Sequence, residues 1–298
     1  MAGEIVKAKL DVVFKKIFTD KNNETLLKSF VSDILDIPYD DITEMVIENS
    51  EITPDEIDSK FTRFDLKLTV DDKLVNVEIQ VNNYGDFRER SLYYWAQRYG
   101  GQLKRGETYF DVQKTISICI VDFSIFETDS YCSTYTMADL EHNSILTDKC
   151  AMHFFELPKL DGVYSADDKK KLWMQLINSE SEEELEMLAR TNVPEIKQGV
   201  MVIKELSADE RVKEFARRRE ERLREELSAL GNAERRGRAE GIDIGLKKGR
   251  AEGIDIGMRK GKAEGRAEGI NQERNRIIQN LKQSGMSDEQ ISLICGEN

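Results

Sequence analysis

The residue types most able to do chemistry in this chain fall within one stretch, Arg63-Phe-Asp-Leu-Lys-Leu-Thr-Val-Asp-Asp-Lys-Leu-Val-Asn-Val-Glu-Ile-Gln80. With Asp71-Asp72 as a two-residue loop, Val70 pairs with Lys73, Leu68 with Val75, Leu66 with Val77 and Phe64 with Ile79. One face of this hairpin is apolar; the other pairs Asp65 with Glu78, Lys67 with Asn76 and Arg63 with Gln80. A slip of one residue would set Asp65 against Ile79 and mix the faces, so the hydrophobic pattern selects this register. Asp-Asp is a less usual loop than Asn-Gly or Asp-Gly, which leaves room for a bulge. Directly opposed residues stand about 5 Å apart at Cβ, where like charges repel. Two carboxylates at that spacing suit a hard divalent ion such as Mg2+ or Mn2+, held by Asp65 and Glu78 with waters completing its shell. Such an ion lowers the pKa of a bound water and stabilises charge on a phosphoryl oxygen. Gln80 projects from the same face and would orient the attacking water, with Lys67 offsetting negative charge. Acids on a hairpin face are also the ordinary mark of solvated surface, and the stretch by itself leaves both readings open.

The elements that must position these residues are mixed. Val13, Phe14, Ile17 and Phe18, then Leu26, Leu27, Phe30, Val31 and Leu35, recur at helical spacing. They predict two helices with a turn near Asp20–Asn23, ending before Pro38. Strands are expected at 43–48, Phe64–Val70, Leu74–Val81, Thr115–Phe123 and Ala151–Leu157, with an aromatic-rich helix over Phe87–Leu103. From Ala166 the pattern is helical, with Ser181 and Ser207 as N-cap serines followed by acids. The expected fold is therefore α/β, a mixed sheet flanked by helices, followed by an all-helical C-terminal region.

That region carries a glycine at every fourth position from Gly237 to Gly269. In an isolated helix each glycine costs about 1 kcal/mol relative to alanine. The segment is then either a close-packed helical assembly or a charge-balanced linker. Beyond it, Asn271–Ser284 is amphipathic, Gly285 breaks the helix, and Ser287-Asp-Glu-Gln290 forms a capping box for a last short helix. A division into a core (1–165), a helical extension (166–236), a Gly-rich repeat (237–270) and a small helical hairpin (271–298) follows. The tail is expected to pair copies of the chain into an oligomer, a dimer first.

Over its 298 residues the formal net charge is −13, which argues against a basic nucleic-acid binder held by its bulk field. The charge is uneven: residues 209–298 hold 20 Lys/Arg against 18 Asp/Glu, so the acidic excess lies before them. Contact with phosphate must be local and metal-assisted. Cys119, Cys132, Cys150 and Cys295 show no metal or redox spacing and suit reduced thiols. His142 and His153 show no ligand spacing either. No run approaches the ~18 apolar residues of a membrane span, and no secretory leader is evident at Met1-Ala-Gly-Glu-Ile; a cytoplasmic location is expected.

Asp11, Phe14, Lys15 and Phe18 precede Arg63-x-Asp65 and Glu78-Ile-Gln80. After these come Arg90, Tyr94 and Trp95, Gly106-Glu-x-Tyr109, Ile120-Val-Asp-Phe and Phe155-Glu-Leu-Pro-Lys159, and then the glycine-every-four tail. In this order the motifs resemble the recombination-promoting nuclease family, also described as PD-(D/E)XK nuclease family transposases. The resemblance implies a restriction-endonuclease-like core that hydrolyses DNA phosphodiesters with a divalent metal. The family's catalytic positions map onto Asp65, Glu78 and Gln80, and its metal ligands onto Asp65 and Glu78. Phe64 stands where the wider superfamily often has proline, and Gln80 where it often has lysine. A neutral amide cannot supply lysine's charge to a developing anion, so a weakly active or purely DNA-binding member is the alternative, as is an oligomerisation protein acting through its tail. Arg88, Arg90, Arg98, Lys104 and Arg105 are phosphate contacts or a solvated helix face; Asp11 supports the site or is a plain helix acid.

Overall fold

The computed structural model describes residues 5–48 and 66–295. The strands are β1 (Met45–Ile47), β2 (Leu66–Val70), β3 (Lys73–Gln80), β4 (Lys114–Val121), β5 (Cys132–Tyr135), β6 (Ala138–Asp139), β7 (Ser144–Ile145) and β8 (Cys150–Glu156). Six of them form one sheet in the order β1-β2-β3-β4-β8-β5, while β6 and β7 pair separately. β3, β4 and β8 run parallel, and antiparallel strands flank them on both sides. The helices are α1 (Asp11–Thr19), α2 (Glu24–Leu35), α3 (Phe87–Gly100), α4 (Lys169–Asn178), α5 (Glu182–Arg190), α6 (Pro194–Ala208), α7 (Glu210–Gln283) and α8 (Asp288–Cys295). A mixed sheet flanked by helices, then a long C-terminal helix, is the architecture expected from the pattern.

Burial explains the sheet. β4, Lys-Thr-Ile-Ser-Ile-Cys-Ile-Val, is buried from its second residue to its last because both of its faces are covered. On one face, Val77, Ile116, Ile118, Ile120 and Phe155 pack with α1, α2 and the helices from Leu172 to Leu223. The centre of that layer is aromatic: Phe14, Phe18, Phe30 and Trp173 make ring contacts of 4.8–6.3 Å. Trp173 is fully buried and satisfies its indole by donating to Asp33 at 2.8 Å. Gly199 on α6 packs closely on α4: a Cβ there would meet Leu176 Cδ2, so that side chain would have to shift. On the other face α3 covers Cys119, Val121, Met152 and Phe154 with Phe87 and Trp95.

The hairpin takes the register selected by the hydrophobic pattern, with Val70 on Lys73, Leu68 on Val75, Lys67 on Asn76 and Leu66 on Val77. No bulge intervenes between these described pairs. Asp71 adopts φ 50°, and its Oδ1 accepts from Thr43 N (3.0 Å), Thr43 Oγ1 (2.7 Å) and Glu44 N (2.9 Å). The carboxylate thus clamps the loop before β1.

Some expectations are corrected. Ser207 is not an N-cap; it lies in the last turn of α6, donating to the Ile203 carbonyl at 2.7 Å. Asp209 receives the Arg211 and Val212 amides at 2.8 and 3.4 Å. The aromatic helix ends at Gly100 rather than Leu103. Ser181 does cap α5, through the Glu184 amide at 3.3 Å. The Ser287/Gln290 box also closes, at 3.1 and 3.4 Å.

The chain divides into two compact units, Met1–Leu227 and Ser228–Asn298. In the second, helix α7 is continuous through every glycine of the repeat, and a Cβ on any of Gly237 to Gly269 would meet open space. Gly285 ends the following turn with φ 88°.

Candidate active site

The site forms where β3 leaves the sheet. β3 and β4 with α3 between them make a parallel βαβ unit, and polar side chains at the carboxyl ends of such strands face the crevice where ligands bind. Glu78 lies on the α3 side of β3 and is 2% exposed. In the ladder it stands beside Cys119, with Asn76 beside Ser117 and Gln80 beside Val121. Cys119, Val121 and Phe154 on that face are apolar, and polar partners also reach the carboxylate from α3.

Arg90 is one of them. Its Nη2 donates to Gln80 Oε1 at 2.7 Å and stands 3.4 Å from Glu78 Oε1. Its Nη1 donates to Asp86 Oδ1, one helical turn earlier, at 3.0 Å. The guanidinium lies 5.1 Å from the Phe87 ring centroid, and Phe87 is itself wedged edge-on against Phe123 and Phe154. The head group is therefore fixed in plane and direction. Its Nε is nonetheless buried with no hydrogen-bond partner among the described residues, as is Asn76 Oδ1. A buried donor left unmade costs about 1–3 kcal/mol, so each such group calls for a reason.

Gln80 is oriented from both ends. Oε1 accepts from Arg90, and Nε2 donates to the Asn82 carbonyl at 2.9 Å. Asn82 is buried in turn and donates from Nδ2 to the Leu223 carbonyl of α7 at 3.0 Å. Tyr84 hydrogen-bonds Glu226 on the same helix. The loop after β3 is thereby tied to α7, which sequence spacing could not reveal across more than a hundred residues.

The remaining sequence-predicted residues separate. Asp65, together with Arg63 and Phe64, lies outside the described residues; the last described pair of the hairpin is Leu66 with Val77. Lys67 is exposed on β2. Asp11 meets Arg219 of α7 through three hydrogen bonds of 2.6–3.0 Å, so it ties α1 to α7. Arg98 is engaged by Glu48 at 2.5 Å and by the Leu68 carbonyl at 3.0 Å, whereas Arg88, Lys104 and Arg105 are exposed. Trp95 is packing, stacked on Tyr99 at 5.1 Å and donating to the Thr115 carbonyl at 2.8 Å. Two acids at the ends of the neighbouring parallel strands are neutralised locally: Asp122 by Lys9 (2.7 Å), and Glu156 by Lys159 (2.7 Å) and the Ile125 amide (2.5 Å).

Among the described residues no group of three or more His, Cys, Asp or Glu could hold a metal ion. The described donor, the buried Glu78 carboxylate, is a hard oxygen ligand of the kind Mg2+ takes, and that ion usually needs only one or two protein carboxylates. Its chemistry fits such an ion; Asp65, the second acid read from the sequence, lies outside the described residues.

A mixed sheet flanked by helices thus brings a buried acid, Glu78, and an amide, Gln80, to the carboxyl end of a parallel strand. Residues 8–233 match the family described as PD-(D/E)XK nuclease family transposase, and the chain belongs to that family. Membership gives it a nuclease or transposase-like function with DNA as substrate. No curated protein and no solved structure matches it. No helix among the described residues is long and apolar enough to cross a membrane.

Proposed function

We propose that this protein is a metal-dependent DNA endonuclease, with Asp65 and Glu78 as the metal ligands and Gln80 as the residue that orients the attacking water. The observation that carries the reading is Glu78, buried beside Gln80 at the end of β3 and approached by Arg90, in a chain matched over residues 8–233 by a nuclease family. Bound Mg2+ or Mn2+ would supply an activated water and stabilise charge on the phosphoryl oxygens. Water oxygen bonds to phosphorus as the bridging P–O bond opposite it breaks; the leaving oxygen takes up a proton and the water gives one up. Gln80 Oε1 has a second lone pair beyond the one Arg90 uses, and that lone pair holds the water in line.

Cutting both strands calls for two sites, and the C-terminal helix supports a second copy of the chain as the partner. Surface ion pairs such as Lys247–Asp243 and Arg259–Asp255 contribute only about 0.3–0.5 kcal/mol each. Nine interior glycines at about 1 kcal/mol each outweigh them, so a helix that persists through the repeat favours partners along it. Action in the cytoplasm on recombining or mobile DNA is the setting this reading fits.

Supercoiled plasmid tests it. The wild type should nick in Mg2+ and stop in EDTA, and Asp65→Ala and Glu78→Gln should each abolish nicking while retaining the native circular dichroism spectrum. Equal nicking by wild type and either variant sinks the proposal.

A further inference from the structure

The strand that carries Glu78 offers an amide two residues on, at Gln80, and no cation of its own at the buried end of the site. Arg90 comes closest from another element. It bridges Gln80 Oε1 at 2.7 Å and Glu78 Oε1 at 3.4 Å. Its side chain is 10% exposed and clamped by Asp86 and the Phe87 ring. Its Nε–H, on the fork edge shared with Nη2, has no partner among the described residues. A fork with one donor engaged and the next left empty is half of the bidentate arrangement by which arginine takes a carboxylate or phosphate.

We propose that Arg90 is the cation through which this site contacts the scissile phosphodiester, with a non-bridging phosphoryl oxygen taking the Nε–H and sharing the Nη2 edge. The assignment rests on the nuclease reading above. It explains three observations together. Gln80 is tolerated on the strand because the positive charge comes from α3. Gln80 Nε2 is spent on the Asn82 carbonyl, which leaves Oε1 to aim the guanidinium. The Glu78–Arg90 contact is long for a charge-assisted hydrogen bond, so the fixed guanidinium is not saturated by Glu78 and keeps capacity for a second anion. The charge then sits where negative charge grows as the water bonds to phosphorus, which is where fixed donors accelerate a reaction most.

The test uses the full chain with four variants: Arg90→Ala, Arg90→Lys, Gln80→Lys and the Arg90→Ala/Gln80→Lys double variant. Plasmid nicking in Mg2+, Mn2+ affinity by calorimetry, binding of a short labelled duplex in Ca2+ and melting temperature are measured for each. Arg90→Ala should slow nicking by roughly 10²–10³-fold, weaken duplex binding at least tenfold and leave Mn2+ affinity undiminished. The double variant should recover part of the rate, because a lysine at position 80 returns a charge to the same pocket. Arg90→Lys keeps the charge without the fork and should fall between wild type and Arg90→Ala. Nicking by Arg90→Ala within twofold of wild type overturns the assignment, as does a loss of Mn2+ affinity that parallels the loss of rate. If Arg90→Ala does not fold, Arg90→Lys decides, and a wild-type rate in that variant counts against the proposal. A wild type that never cuts defeats the nuclease reading instead. Duplex binding then judges Arg90: a tenfold loss in Arg90→Ala upholds the phosphate contact, and equal binding removes it.

Discussion

At the scale of single residues, what distinguishes this chain is where its buried charges find partners. Asp11 and Arg219 are both nearly buried and hold each other at 2.6 Å. Removing one partner strands the other, so Arg219→Ala should destabilise the protein by about 3 kcal/mol in urea unfolding. Arg219→Ala/Asp11→Ala should recover much of that loss, since no unpaired charge then remains. His153 behaves oppositely. Burial pushes it down to about 4, aided by Lys170 and Lys114 and opposed by Asp36. The unfolded chain therefore binds this proton at higher pH than the folded one. His153 costs nothing above its ordinary value near 6.5 and lowers stability progressively as pH falls from there toward 4. The loss should reach about 2 kcal/mol, allowing for partial exposure, and His153→Gln should flatten the dependence of the urea midpoint on pH over that window.

At the scale of elements, the hairpin and the central strands were legible because period and burial agree there: alternation fixed β2 on β3, and the apolar-rich stretch Thr115–Phe123 was expected as the strand that β4 is. β5, β6 and β7 escaped notice because short polar segments carry no such period, and β5 is a four-residue edge of the kind that edge protection favours. Ser207 misled because serine also suits the end of a helix, where its hydroxyl can return to a carbonyl four residues back. Glu78 and Gln80 could be read from the sequence as one face of one strand. Arg90 could be seen as a charged residue on the next helix, but its aim into the site depends on the crossover of α3 and was not legible. The glycine repeat left helix and linker equally open; the structure has a helix. Gly253→Ala should raise the helicity of the dilute monomer through propensity alone. If backbones approach along the glycines, the same change should weaken self-association in sedimentation experiments. Removal of residues 237–298 should abolish self-association, and a shortened chain that still sediments as an oligomer would assign the interface elsewhere.

At the scale of the whole molecule, the net charge of −13 acts against every approach of DNA. Apart from Arg90, several cations of the core are spent on acids: Lys9 on Asp122 and Glu180, Lys159 on Glu156, Arg98 on Glu48. Grip on the duplex should therefore be weak and depend on divalent ions. A plot of log affinity against log salt should show a shallow slope equivalent to few phosphate contacts. A steep slope would point to a basic surface elsewhere on an oligomer.

Residues 219, 223 and 226 of α7 are the ones held by Asp11, Asn82 and Tyr84. Spaced by four and then three, they share one face, and each belongs to a different way of holding on: a fork, a backbone carbonyl and a carboxylate. Together they lock the rotational phase of the helix. An exchange of side chain at Leu223 leaves its carbonyl in place for Asn82. A one-residue insertion between Asp209 and Arg219 turns all three contacts through about 100° at once, and the loop that holds Gln80 loses its backing. This stretch of α7 should accept substitutions far more readily than changes in length.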